Sequence, residues 1–297
     1  MDPQTLQQQF GAPGVRFEAG AGGLTQMLVE TDACKARLFT HGAHLAAWRP
    51  ASHEPVLFMS RRSWFEPGKP IRGGVPICWP WFGPAEDRPD APAHGFARIM
   101  DWQIESVRAG DEGATVVTLG LCSDDATAGW LDGRFELRYT LTLGATLEMT
   151  LQTRNTGDGP FSFSEALHTY FAVADVRHVR VTGLENTTYL SKVAGGRSTQ
   201  PDEPIRFAGE TDRVYLNTAG PCTLHDPSMD RRIVVEKTGS QATVVWNPWV
   251  AKAAAMLDFG DDEWPAMVCI ETANAVDHVV SIAPGDSHTM AAHIRVE

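Results

Sequence analysis

RFELRYTLTL (134–143) and LEMTLQTR (147–154) are the stretches whose reading decides the fold. In the first, Phe135, Leu137, Tyr139, Leu141 and Leu143 recur at every second position. In the second, Leu147, Met149 and Leu151 do the same, with charged or hydroxyl residues between them. Successive side chains of a strand point to opposite faces, so this alternation buries one face and wets the other. Similar short runs occur at 36–39, 43–48, 55–59, 99–107, 114–121, 161–165, 176–182, 213–216, 231–236, 242–246, 266–271, 278–282 and 289–296. Turn-forming residues punctuate them, as in Asn-Thr-Gly-Asp-Gly-Pro at 155–160 and Pro-Gly-Asp at 284–286. Between 145 and 165 the pattern reads as two strands joined by a tight connection. DDATAGW (124–130) is the stretch expected to hold a helical turn, and little else is. The fold class expected is all-β, a large antiparallel β-sandwich.

Two stretches resist a strand reading. Residues 60–98 are rich in Pro, Gly, Trp and Arg, and 191–212 are polar and marked by Gly and Pro. Long loops inside a compact domain are often functional. Strand-like runs continue on both sides without a break in composition. One domain over 1–297 is therefore expected, with residues 1–25 as a less regular extension.

The composition narrows the function. At 43% hydrophobic and 21% charged, the chain reads as globular. No apolar stretch is long enough for a membrane helix. MDPQTLQQQFGAPG has no basic residue and no apolar h-region, so no secretory signal is expected. A net charge of −12 opposes nonspecific binding to nucleic acid or an anionic membrane, yet a local arginine cluster still suits a small phosphate. Cys34, Cys78, Cys122, Cys222 and Cys269 are widely spread, giving neither a disulfide framework nor paired metal-ligand spacing. His41 and His44 form an HxxH pair that no carboxylate motif completes, so no metal is expected.

Several residues are able to carry chemistry. His168, in FSFSEALHTYF, lies among aromatic and small neighbours and could move a proton near neutral pH; a hydrogen-bonded structural histidine fits the same residues. Glu271, in AMVCIETAN, follows an apolar run, and a carboxylate there faces either a cleft or a structural ion pair. Glu165 is its rival. Asp212, in ETDRVY, could accept hydrogen bonds from sugar hydroxyls or be a solvated turn acid. Trp79, Trp81, Phe82, Trp246 and Trp249 offer flat apolar faces to a sugar ring, although several must be core. Arg72, His94 and Arg98 fall in the long loop, where Gly73 and Gly74 permit close backbone approach to a phosphate. No Walker loop or GxGxxG is present.

Together, KPIRGGVPICWPWFGP (69–84), HGFAR (94–98), ALHTYF (166–171), TDRVY (211–215), WNPW (246–249) and CIETAN (269–274) resemble the aldose 1-epimerase superfamily. KPIRGG, HGFAR and WNPW resemble its glucose-6-phosphate 1-epimerase (D-hexose-6-phosphate mutarotase) branch more than its free-galactose branch. The resemblance implies a galactose-mutarotase-like supersandwich with His168 and Glu271 as the catalytic pair. It also implies substrate contacts from Arg72, His94, Arg98 and Asp212, with Arg72 and Arg98 on the phosphate. Trp81, Phe82 and Trp246 are the candidates for stacking on the sugar. Many relatives have a glutamine where this chain has Trp81, which puts the hydroxyl contacts there in question.

The implied reaction exchanges α and β anomers of glucose 6-phosphate or a related hexose phosphate, with no cofactor. Glu271 takes the O1 proton, His168 protonates the ring oxygen, and reclosure gives the other anomer. The ordinary pKa values of the two groups suggest an ionised glutamate beside a protonated histidine. A monomeric, cytoplasmic enzyme with a small phosphosugar substrate is expected, binding neither nucleic acid nor membrane. The alternatives are a free-aldose 1-epimerase, which would not need two converging arginines, and a noncatalytic carbohydrate-binding β-sandwich, which gives His168 and Glu271 no reason to converge.

Overall fold

The strands expected at 134–143 and 147–154 are present as Phe135–Leu143 and Leu147–Asn155 in a computed structural model that describes residues 2–85 and 88–297. Their alternate apolar side chains are buried, while residues such as Glu148 and Arg154 face outward. They lie in an eight-stranded antiparallel sheet. Its order is Arg180–Thr182, Cys222–Asp226, Arg231–Thr238, Ser287–Val296, Leu147–Asn155, Phe135–Leu143, Thr115–Cys122 and Gln103–Ala109.

A second antiparallel sheet carries the site. Its strands run in the order Arg197–Thr199, Thr188–Ser191, Thr211–Leu216, Ala242–Asn247, Met267–Asn274, Glu165–Leu167 and Ile77–Cys78, and Tyr170–Ala172 also pairs with Met267–Asn274. One face of this sheet, with Ile77, Leu167, Tyr215, Val245 and Ile270, enters the main core alongside Leu137, Tyr139, Leu147, Met149, Ile233 and Ile294. This is the sandwich, and every second residue of the central strands holds it together. The opposite face bears a smaller cluster of Cys78, Ala166, Val214, Val244 and Ala273. A four-stranded sheet, Val15–Ala19, Thr25–Glu30, Cys34–Phe39 and His44–Pro50, completes the fold beside a two-stranded pair, Phe161–Phe163 with Val280–Ile282.

Several expectations are corrected. The less regular extension expected over 1–25 is regular over its described residues, 2–25: Asp2 caps a helix at Pro3–Phe10 by accepting from Gln4 and Thr5 backbone N–H groups, and Val15–Ala19 pairs with Thr25–Glu30. Residues 55–59 form isolated bridges at Leu57 and Met59, not a continuous strand. The strands on either side of 156–160 do not pair with each other; Leu147–Asn155 stays in its sheet while Phe161–Phe163 turns to Val280–Ile282. DDATAGW does hold a helical turn, the Ala128 N–H donating to the Asp124 carbonyl at 3.0 Å, but a helix that was not expected occupies Trp249–Ala255. The polar stretch 191–212 contains strand Arg197–Thr199 and the start of Thr211–Leu216. The long loop expected at 60–98 is present over its described residues, with 86 and 87 outside them, and is interrupted by Ile77–Cys78 and a 3-10 turn beginning at Ala97. No helix among the described residues is long and apolar enough to cross a membrane.

Gly74 fixes how closely this loop approaches strand His44–Pro50 of the four-stranded sheet. Its φ is 58°, its N–H donates to the Phe58 carbonyl at 2.7 Å, and a Cβ there would lie 2.3 Å from the Leu45 carbonyl oxygen and 2.7 Å from His44 Nε2. Gly74→Ala is expected to cost about 1–3 kcal/mol through strain and clash. At roughly 2–4 °C per kcal/mol, a thermal melt reads this as a fall of several degrees; an unchanged melt would contradict the close packing described.

Candidate active site

Strand Met267–Asn274 is buried along its whole length, and Cys269 and Glu271 project from the face opposite the main core. Glu165–Leu167 pairs with Thr272–Asn274, and the same register resumes with Tyr170 opposite Cys269. The break between these two short strands therefore places His168 opposite Glu271. Across the other edge, Trp246 faces Cys269 and Asp212 faces Trp246. Residues far apart in sequence thus form two adjacent cross-strand rows. One holds Asp212, Trp246, Cys269 and Tyr170; the next holds Val214, Val244, Glu271 and His168.

Within these rows, His168 Nε2 lies 3.4 Å from Glu271 Oε1. Glu271 is 1% exposed and His168 is 7% exposed. Their other polar atoms, His168 Nδ1 and Glu271 Oε2, are buried without a hydrogen-bond partner. The imidazole stacks on Tyr170 at 4.9 Å and meets Trp246 edge-on at 5.9 Å. Burial pushes the Glu271 carboxyl well above its ordinary range, and nearby Asp212 adds to this, while Arg98 and Lys192 work the other way. Burial also pushes His168 well below the ordinary imidazole value, helped by repulsion from Arg98 and Arg72. Both shifts favour the uncharged forms, a protonated Glu271 beside a neutral His168, and not the ionised glutamate and protonated histidine that ordinary pKa values suggest.

The other sequence-derived candidates divide into two sets. His94 joins the pair, its ring 5.6 Å from His168 and edge-on to Phe82 at 4.9 Å. The Gly83 N–H donates to His94 Nδ1 at 3.2 Å, which leaves Nε2 carrying the proton and able to donate. Arg98 is 8% exposed, donates to the Ala93 carbonyl at 2.6 Å, and has an unpartnered Nε. Arg72 is already occupied: Nε and Nη2 donate to Asp258 Oδ2 at 3.1 and 3.0 Å, and Nη1 donates to the Tyr170 hydroxyl at 3.0 Å. Burial opposes the Arg72 charge, but Tyr170 and Asp258 more than offset it and hold the guanidinium above its usual value. Asp212 is raised by burial, against the pull of Lys192 and Lys252.

The second set lies elsewhere. Trp81 donates to the Pro92 carbonyl at 2.9 Å and packs against Phe96 and Trp130, so its ring belongs with the core margin and not with the His168 cluster. Glu165, the rival acid, pairs with His288 at 3.1 Å and Asn274 at 3.0 Å, away from His168. His41 bonds Asp101 and the Lys69 carbonyl, and His44 is wholly buried, so the HxxH pair builds no site.

A family model described as Aldose 1-epimerase matches residues 26–295. The chain belongs to the aldose 1-epimerase family. Proteins from Salmonella typhimurium and Escherichia coli, both provisionally named glucose-6-phosphate 1-epimerase, are each 37% identical to it over 253 residues, covering 85% of this chain and 84% of theirs. The crystal structure of a provisionally named mutarotase from Salmonella typhimurium matches this aldose 1-epimerase family member with a TM-score of 0.90 at 34% identity, covering 96% of this chain and 94% of that one. A galactose 1-epimerase from Lactobacillus acidophilus shares the fold, with a TM-score of 0.72 at 14% identity, covering 95% and 98%.

Sequence reasoning missed Asp258, Tyr170 and Lys192. Asp258 follows a short helix some 186 positions from its partner Arg72, and no local pattern signals such a pair. Lys192 is exposed beside a hairpin, its backbone N–H donates to the Asp212 carbonyl at 2.8 Å, and its ammonium lies 5.6 Å from the Phe82 ring centroid. Its charge faces Asp212, Glu271 and His94 together. The alternation of TYLSK with the site face is the available signal.

A pair holding one proton predicts a bell-shaped pH–rate profile. A second proton enters only well below the ordinary histidine value of 6.5, and the shared one leaves only well above the ordinary carboxyl value of 4.5. The acidic limb of kcat/KM is therefore expected well below pH 6.5. A limb centred at 6.5 would indicate a solvated, independent histidine.

Proposed function

We propose that this protein interconverts the α and β anomers of glucose 6-phosphate or a closely related hexose 6-phosphate. The observation that carries the reading is the 3.4 Å approach of His168 to Glu271 on the site face, with an unpartnered polar atom left on each. Opening a cyclic hemiacetal requires one proton to leave O1 and one to reach O5, two oxygens bonded to the same carbon. Two adjacent groups sharing one proton meet that demand, since one takes while the other gives.

In the forward step Glu271 accepts the O1 proton and His168 donates to O5, breaking the C1–O5 bond. Rotation about C1–C2 presents the other carbonyl face. Reclosure runs the transfers backwards and returns the pair to its starting state. The neutral starting form, with the proton on Glu271, reaches the working ion pair by transfer across the His168–Glu271 contact. Trp246 and Phe82 provide flat walls, Asp212 accepts from ring hydroxyls, and His94 Nε2 donates to one.

The phosphate falls to the arginines, and the geometry weights them unequally. Arg72 shares its charge with Asp258, whereas Arg98 has no carboxylate partner among the described residues. Arg98 is then the main countercharge and Arg72 an oriented donor, both remote from the reacting carbon, so they supply binding and alignment. A free-aldose enzyme has no use for a buried, uncompensated guanidinium. A phosphorylated substrate also supports a cytoplasmic location for the protein.

NMR magnetisation transfer between anomers tests the reading. The wild-type protein is expected to accelerate exchange of glucose 6-phosphate well beyond that of free glucose or galactose. His168→Ala and Glu271→Gln each lower it by about 10²–10⁴-fold. Arg98→Met weakens use of the phosphosugar by about ten- to a hundredfold, the worth of a charge-assisted hydrogen bond, and leaves free glucose nearly unaffected. Equal loss on both sugars would remove Arg98 from phosphate binding, and acceleration of free sugars alone would move the substrate to unphosphorylated aldoses.

A further inference from the structure

The proposed reaction uses His168 and Glu271 but leaves a third reactive group beside them without a task. Cys269 stands two residues before Glu271 on the same strand and face, with Tyr170 opposite it. One imidazole nitrogen of His168, the Cys269 sulfur and a Glu271 carboxylate oxygen all lie within 4.8 Å of one another, and all three residues are buried. Cys269 forms no disulfide. Glu271 Oε2 and His168 Nδ1 have no partner.

We propose that His168, Cys269 and Glu271 form an inhibitory site for a thiophilic divalent cation, with Zn2+ the best fit. The donor set is one nitrogen, one sulfur and one oxygen, which zinc accepts and which magnesium and calcium, preferring oxygen alone, do not. With bonds of about 2.0–2.3 Å, tetrahedral zinc sets its donor atoms roughly 3.3–3.8 Å apart. The His168–Glu271 approach of 3.4 Å already meets this. Bringing in the sulfur takes a movement of about 1 Å, within reach of the side chains without unpairing the strand. Three protein ligands leave the fourth tetrahedral position to a water.

Charge balance explains how a dication enters a site flanked by Arg72, Arg98 and Lys192. Before binding, the thiol is neutral and the one-proton pair has no net charge. Zinc displaces the thiol proton and the pair's shared proton, leaving thiolate, carboxylate and neutral imidazole. Two negative charges cancel the metal's two positive ones, and two protons leave to solvent. The buried cluster is neutral before and after, so the surrounding cations are met by no added charge. Asp212 and His94 complete the ring of groups facing the cluster. Bound zinc occupies both proton-transfer groups, so inhibition is competitive with the sugar.

The test uses the full chain and two independent readouts. The first is anomer exchange titrated with zinc and then with EDTA, for wild type, Cys269→Ser and Cys269→Ala. Micromolar zinc is expected to stop the wild type and EDTA to restore it, while both variants keep basal exchange and need at least about tenfold more zinc. The second is the spectrum of added Co2+, expected to show thiolate-to-cobalt charge transfer in the wild type and not in either variant. The cobalt readout does not depend on the proposed reaction, so failure of that reaction and failure of the metal site are told apart. Equal zinc sensitivity of wild type and both variants, or no charge-transfer band in the wild type, overturns the site.

Discussion

An ionisable carboxyl group in the middle of an eight-stranded sheet is costly, and the organisation of the site follows from how that cost is met. Alone, a buried carboxylate would lose several kcal/mol of hydration and would be protonated instead. Here Glu271 has a histidine opposite it, so its proton has somewhere to go at little cost. His168, equally desolvated, gains by giving up its own charge. Burial pushes Glu271 up and His168 down, which favours a single mobile proton on the pair. In the proposed reaction, this property makes a proton shuttle out of two side chains that would otherwise be a liability in the core.

The surrounding fold serves that placement. Antiparallel register sets His168 against Glu271 to within one residue, and a slip of one would turn Glu271 to the other face, away from His168. The gap between Glu165–Leu167 and Tyr170–Ala172 keeps His168 out of the regular ladder while its N–H still reaches the Pro76 carbonyl at 3.0 Å. The long loop then brings charge over the sheet. Gly74 lets it pass against Leu45, and Gly95, at φ 72°, turns the chain where a Cβ would lie 1.9 Å from the Trp79 carbonyl oxygen. His94 and Arg98 on either side of that turn are thereby held against the pair.

Much of this was legible from local pattern. Alternation over 134–143 and 147–154 is a direct consequence of one buried face, so the sandwich follows from it. The loop over 60–98 announced itself through residues that neither pair nor alternate. Elements missed were those whose stability comes from partners and not from their own pattern: Val15–Ala19 needs Thr25–Glu30, and Ile77–Cys78 is two residues long. In the site, His168, Glu271, His94 and Arg98 were recoverable because they sit in distinctive motifs. The commitment of Arg72 to Asp258, the core-side position of Trp81 and the closeness of Cys269 to His168 arise from cross-strand and cross-loop contacts that no spacing in the chain encodes.

The most direct test of the account is a count of protons on the pair at neutral pH. Infrared spectroscopy reports a protonated Glu271 carboxyl as a carbonyl-stretch band that disappears in Glu271→Gln, and nitrogen NMR of labelled histidine reports the charge on His168. The account predicts one proton between them: either the carboxyl band with a neutral imidazole, or no band with an imidazolium. A carboxylate beside a neutral imidazole, or a protonated carboxyl beside an imidazolium, would contradict it.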